Sequence, residues 1–167
     1  AAGIDHTQPA PEERRQKGQD MTKKELLEKT SRQLLGFYNT VMNSRDDRER
    51  EEARRKFKRI EEKVNAEGEM FKTIFGLVYQ QIRRGNTYID ISEPFIYSGK
   101  EAELIDAFRV YGIELFTFSS EWSNAGRSAY EFAKKGATVE DIILVYNGNE
   151  DMNGQKEKAP AYIFRVN

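Results

Sequence analysis

The chain is expected to fold as a mixed α/β (α+β) protein: an N-terminal helical hairpin followed by a small βαβαββ sheet unit, mostly parallel with an antiparallel edge strand. Three observations predict this. Apolar residues recur at three- and four-residue spacing from Leu27 to Ile82, the period of helices that bury one stripe. From Thr87 onward, short β-branched and aromatic runs alternate with helical patterns, which implies parallel pairing through helical crossovers. The polar connection before the last run is short, which implies a hairpin and so an antiparallel edge.

Residues 1–21 carry Gly3, Pro9, Pro11 and Gly18 among mixed charges and show no hydrophobic period. They read as a disordered leader or the remnant of an expression tag, with Met21 as a natural start. Residues 22–85 form the helical arm. Thr22-Lys-Lys-Glu25 fits a capping box. Leu27, Ser31, Leu34, Leu35, Tyr38, Val41 and Met42 then mark the stripe of a first helix, which Asn43 and Ser44 break. Ser44 with Asp46 and Asp47 reads as the start of a second helix, since acids are favoured in a first turn. That helix is dense in charge, with a sparse stripe at Ala53, Phe57, Ile60 and Val64 that widens after Gly68 into Met70, Phe71, Ile74, Phe75, Leu77, Val78 and Ile82. The narrow half is expected against the first helix and the wide half on the sheet, with Gly68 and Gly76 as points of bending or breakage. Arg83, Arg84 and Gly85 supply cations and a left-handed stop.

Residues 86–167 form the sheet unit, and arm and sheet are expected to share one core. Strands are expected at 88–91, 113–118, 141–146 and 161–166, with helices at 101–111 and 122–135. Pro94 ends any ladder in the loop after the first strand. The second of these helices should turn Ala125, Ala129, Tyr130 and Phe132 inward, its small residues allowing close approach to the sheet. The unbroken apolar run at 141–146 reads as a strand covered on both faces.

Composition removes several function classes. The 167 residues include no cysteine, which excludes disulfide frameworks, thiolate metal sites and cysteine nucleophiles. The 27 basic and 28 acidic residues nearly cancel, which argues against a chain-wide basic surface for nucleic acid. The charged fraction of 33% exceeds the roughly 25% typical of globular domains and points to long solvated helical faces. No apolar run approaches the roughly 20 residues that span a bilayer, and the amino end lacks the apolar segment of a signal peptide. A soluble cytoplasmic protein without membrane contact is expected.

The strongest candidate site is the bend Ser119-Ser-Glu-Trp-Ser-Asn124, at the carboxyl end of the second strand, where open α/β sheets place ligands. Hydroxyls of Ser119, Ser120 and Ser123, with the amides of a helix start, suit a phosphate or carboxylate. The competing reading is that Ser119 or Ser120 only caps the helix, and Glu121 would repel an anion there. Glu93, Phe95 and Tyr97 follow the first strand and would flank the bend if the two strands adjoin. Trp122 would add an aromatic wall and Asn124 a further polar group. Such a pocket equally describes a protein-binding groove.

A serine nucleophile at the bend lacks flanking glycines, and the only histidine, His6, lies in the leader; Lys100 or Lys134 would be the fallback base. The run Asn149-Glu-Asp-Met-Asn-Gly154 imitates the start of a calcium loop, but its twelfth position is Pro160, not a glutamate. No metal and no cofactor are therefore expected. On the second helix Arg55, Lys56, Arg59 and Lys63 are candidates for a basic surface facing nucleic acid or an acidic partner. Interleaved acids make a solvated helix face the competing reading.

The combination of Tyr111-Gly-Ile-Glu-Leu-Phe-Thr-Phe-Ser-Ser, Trp122-Ser123, Lys158-Ala-Pro-Ala and the terminal Val166-Asn167 resembles a family of small uncharacterised proteins common in Gram-positive anaerobes and their conjugative elements. The resemblance extends loosely over residues 22–167 and well over 108–167. It implies a mobile-element accessory role and no assigned activity. Here Glu121 and Asn124 replace two hydroxyls of the family's bend. The function expected is thus a non-catalytic accessory protein that binds a macromolecule, most readily a protein, with inhibition of a host defence system as one such task. Nucleic acid is a second partner class, through the charged helix. The alternative is a nucleotide- or sugar-phosphate-binding protein or enzyme that uses the serine bend.

Overall fold

The computed structural model describes residues 21–91, 94–119 and 125–167. Helix α1 (Lys23–Asn43) starts at the expected capping box: Thr22 Oγ1 accepts from Glu25 N at 3.0 Å, and Glu25 Oε1 accepts from Thr22 N at 3.3 Å. Helix α2 (Asp47–Ala66) is capped by Asp46, whose Oδ1 accepts from Arg48 N at 2.9 Å and Glu49 N at 3.4 Å. Tyr38 and Phe57 join α1 to α2, their ring centroids 6.3 Å apart. The second helix of the expected hairpin is in fact two. Gly68, at φ 104°, breaks the chain where a side chain would be strained, and α3 (Glu69–Arg84) begins anew. Gly76 stays inside α3, which stops at Gly85 with φ 70° and Arg83 and Arg84 in its last turn.

The sheet has the order β1-β2-β4-β3. Strand β1 (Ile89–Asp90) pairs in parallel with β2 (Leu115–Phe118), placing Ile89 opposite Phe116. Strand β4 (Lys156–Arg165) runs antiparallel both to β2 and to β3 (Thr138–Glu150). It follows that β1, β2 and β3 share one direction and only β4 is inverted. The mixed α/β class and the βαβαββ order are those expected, but the inverted strand is not at the edge. It lies between β2 and β3, so that two of the three pairings are antiparallel. Burial explains the placement. Ala161, Ile163 and Phe164 of β4 are all buried, which suits an interior strand. Strand β3, expected to be covered on both faces, is an edge strand: Ile142 and Leu144 remain 59% and 62% exposed, while Val145 is buried.

Between β1 and β2 lie a single-turn helix α4 (Pro94–Tyr97), where a loop was expected, and α5 (Glu101–Tyr111). Proline suits a first helical position because its missing N–H has no partner to lose there. Helix α6 (Ala125–Lys134) connects β2 to β3. Ala125 and Phe132 of α6 are buried and Ala129 partly so, but Tyr130 is exposed, contrary to its expected inward position, and its ring lies 5.0 Å from Lys134 Nζ. Ser128 takes the inward place instead, because residues 125, 128, 129 and 132 fall on one helix face. Met42, assigned to the stripe of α1, is likewise exposed.

Aromatic rings fill the core on one face of the sheet. Phe116 and Phe164, opposite one another in the β2–β4 register, stack with centroids 5.3 Å apart and planes 5° from parallel. Phe132 of α6 meets Phe116, Phe118 and Phe164 edge-on at 5.2–5.6 Å, and Tyr97 meets Phe118 at 4.9 Å. Leu27 and Leu34 of α1, Val64 of α2 and Ile74 and Val78 of α3 belong to the same buried cluster. Each large apolar side chain so buried contributes about 1.5–3 kcal/mol.

Candidate functional site

Parallel pairing of β1 with β2 brings the carboxyl ends of the two strands together. Ile91 N donates to Thr117 O at 3.0 Å, and the buried Thr117 hydroxyl donates to Asp90 Oδ1 at 2.8 Å. Ser119, directly after β2, is 5% exposed. It therefore belongs to the packed end of the strand. Ser120, Trp122, Ser123, Asn124 and Glu93 lie outside the described residues, and Phe95 falls within α4.

Two residues near this corner escaped the sequence reading. Glu101 opens α5 and Ser128 lies on the buried face of α6; both are buried, and Ser128 Oγ donates to Glu101 Oε2 at 2.6 Å. The positions were partly legible. Glutamate is favoured in a first helical turn, and residue 128 sits three from Ala125 and four from Phe132, hence on their side of the helix. The negative charge of Glu101 has a second effect: burial first, then that carboxylate, push the Tyr97 hydroxyl above its ordinary value. The buried pair links α5 to α6 and does not present a nucleophile to solvent.

Beside the corner, α6 and the sheet enclose a groove of about 520 Å³, lined by Phe118, Ala125, Gly126, Ala129, Val139 and Tyr162 along with Phe164. A Cβ built on Gly126 would meet nothing within 4 Å, so the small side of α6 leaves room. Among the described residues no charged side chain lines the groove. It complements an apolar group better than a phosphate.

The basic candidates on α2 divide. Lys56 Nζ lies 3.0 Å from Glu52 Oε1 and 5.7 Å from the Phe37 ring centroid. The hydrogen bond and charge of Lys56 hold the Glu52 carboxyl below the usual carboxylate range, with a smaller pull from Arg55. Arg50 and Arg54 are similarly bonded to Asp47 and Glu51. Arg55, Arg59 and Lys63 differ: all are exposed, and among the described residues no ion pair joins them to an acid. Spaced four residues apart, they form a stripe with about 6 Å between successive cations along the axis.

Among the described residues no group of three or more histidine, aspartate or glutamate side chains could hold a metal ion. In the β3–β4 connection, Asp151 Oδ1 accepts from Asn153 N at 2.8 Å and Gln155 N at 2.9 Å, as a turn residue does. No helix among the described residues is long and apolar enough to cross a membrane.

No curated protein and no solved structure matches the chain. A family model described as a domain of unknown function, DUF7698, matches residues 73–166, a span that takes in the four strands together with α5 and α6. That match covers more than half of the sequence, and the chain belongs to this family.

Proposed function

We propose that the chain is a non-catalytic binding protein whose helical arm takes hold of an acidic segment of another protein. The observation that carries this reading is the stripe Arg55–Arg59–Lys63, three exposed cations at helical spacing with no acid bonded to them among the described residues. A partner helix with carboxylates four residues apart repeats the same 6 Å interval and meets the stripe in register. Nucleic acid is the weaker match. Three phosphate contacts give only a shallow salt dependence, short of the steep one of a dedicated nucleic-acid binder. The alternative, a nucleotide or sugar phosphate near the serine bend, meets a groove in which no charge lines the wall among the described residues. In the mobile-element setting that the sequence resemblance implies, the acidic partner is a component of a host defence system and the chain its inhibitor.

The test is retention of a purified or cell-derived partner by the wild-type chain and by Arg55→Glu/Arg59→Glu. A specific protein held by the wild type, lost on reversal, and regained when the partner's own acids are changed to lysine supports the reading. Retention that survives the reversal, or that nuclease treatment abolishes, overturns it.

A further inference from the structure

At the Lys63 end of that stripe a crevice of about 570 Å³ opens between α1, the end of α2 and the start of α3. Its size falls within the roughly 300–1,000 Å³ of small-molecule sites. Leu27, Val64 and Phe75 form a buried floor, and the half-buried Phe71 and Tyr111 rings stand edge to face with centroids 5.8 Å apart. The polar lining is asymmetric. Lys23 and Lys63, both exposed, stand at the mouth with Thr30 and Gln33, and Glu67 is the single acid in the lining among the described residues. Lys23 Nζ lies 5.7 Å from the centroid of Tyr111, which positions its ammonium over the apolar wall. Neither lysine has an ion-pair partner among the described residues.

We propose that this crevice is a binding site for a small amphipathic carboxylate, a medium-chain fatty acid or an acid of similar shape. The hydrocarbon part replaces water against Leu27, Val64, Phe71 and Phe75, while the carboxylate lies between Lys23 and Lys63. Apolar burial supplies the affinity, and the excess of positive charge at the mouth selects an anion over an alcohol or a cation. The site shares Lys63 with the stripe on α2 but does not depend on a protein partner binding there.

Calorimetric titration of the full chain with decanoate, decanol and decyltrimethylammonium tests the assignment. Decanoate is expected to saturate one site. Lys23→Met/Lys63→Met, which keeps the apolar stems, should weaken it at least tenfold, while Lys23→Arg/Lys63→Arg should restore most of the affinity. Arg55→Glu/Arg59→Glu should leave decanoate binding unchanged, which separates this site from capture of a protein along α2. Absence of saturation, equal binding of the three probes, or an affinity indifferent to the methionine pair overturns the proposal.

Discussion

Ser128 donates a 2.6 Å hydrogen bond to the Glu101 carboxylate, and both side chains are buried where α5 and α6 meet. A charged acceptor makes such a bond stronger than one between neutral groups. Its removal also leaves a desolvated oxygen without its donor. Ser128→Ala is therefore expected to cost about 1–3 kcal/mol in a urea melt. Glu101→Gln keeps an acceptor oxygen for Ser128 and should cost less. Combining Ser128→Ala with Glu101→Leu should recover part of the loss, since both ends of the bond are then apolar. Glu101→Leu alone completes the cycle, and if its cost and that of Ser128→Ala sum to the cost of the double variant, the pair does not act as a unit.

Phe132 and Tyr130 stand two residues apart on α6 and make opposite predictions. Phe132 is enclosed by Phe116, Phe118, Phe164 and Tyr97, so Phe132→Ala opens a cavity in the aromatic core and should cost about 3–5 kcal/mol. Tyr130 is exposed and touches Lys134 across its ring, so Tyr130→Ala should change stability by no more than about 0.5 kcal/mol. Thermal unfolding of the two variants checks both figures. Equal losses would mean that α6 is rotated from the orientation described.

That contrast shows what kind of information was legible in the residues. Local chemistry was: Thr22 with Glu25 marks the start of α1, Gly85 ends α3, and the limits of α5 follow from its apolar period and Gly112. Neighbour relations were not. The run Ile142-Ile-Leu-Val145 resembles a strand buried on both faces, because apolarity records the preference for burial and not the number of layers available. Strand order depends on which partner offers the better face, and β4, with Ala161, Ile163 and Phe164, takes the interior. On α2 the sequence identifies the bases, but only side-chain geometry separates Lys56, bound to Glu52, from Arg55, Arg59 and Lys63, which no ion pair joins to an acid among the described residues.

Alkaline pH should weaken the fold through the buried Tyr97 and the partly buried Tyr79. Burial raises the Tyr97 hydroxyl, with the Glu101 charge as a second cause; burial also raises Tyr79, with Arg83 partly opposing it. The unfolded chain ionises near the ordinary value of 10.0, before the folded one does. Stability from these groups is thus complete below about pH 10 and declines as pH rises toward the folded values, by at most about 1.4 kcal/mol per pH unit for each group. Tyr97→Phe should make the decline shallower without creating any new loss in the acid range. Unfolding midpoints measured from pH 8 to 11 decide this, and an unchanged alkaline slope in the variant would remove Tyr97 as a cause.

Among the described residues the outer edge of β3 carries two side-chain caps. Asp141 Oδ1 accepts from Ile142 N at 2.8 Å, and Asn86 Oδ1, reaching from the end of α3, accepts from Tyr146 N at a longer 3.4 Å. Residues 142 and 146 are four apart, so their amides point to the same side of the strand. A bare edge strand invites pairing with another chain, and β3 has no lysine or arginine of its own to discourage it. The irregularity between Val139 and Asp141 blunts the strand further. Asp141→Ala with Asn86→Ala should therefore raise concentration-dependent self-association in sedimentation velocity, because two donors are released beside the exposed Ile142 and Leu144. Adding Leu144→Lys should reverse that gain by placing a charge on the uncovered face. Association that ignores the caps but responds to Leu144→Lys would locate the contact on the sheet face, with the strand edge playing no part.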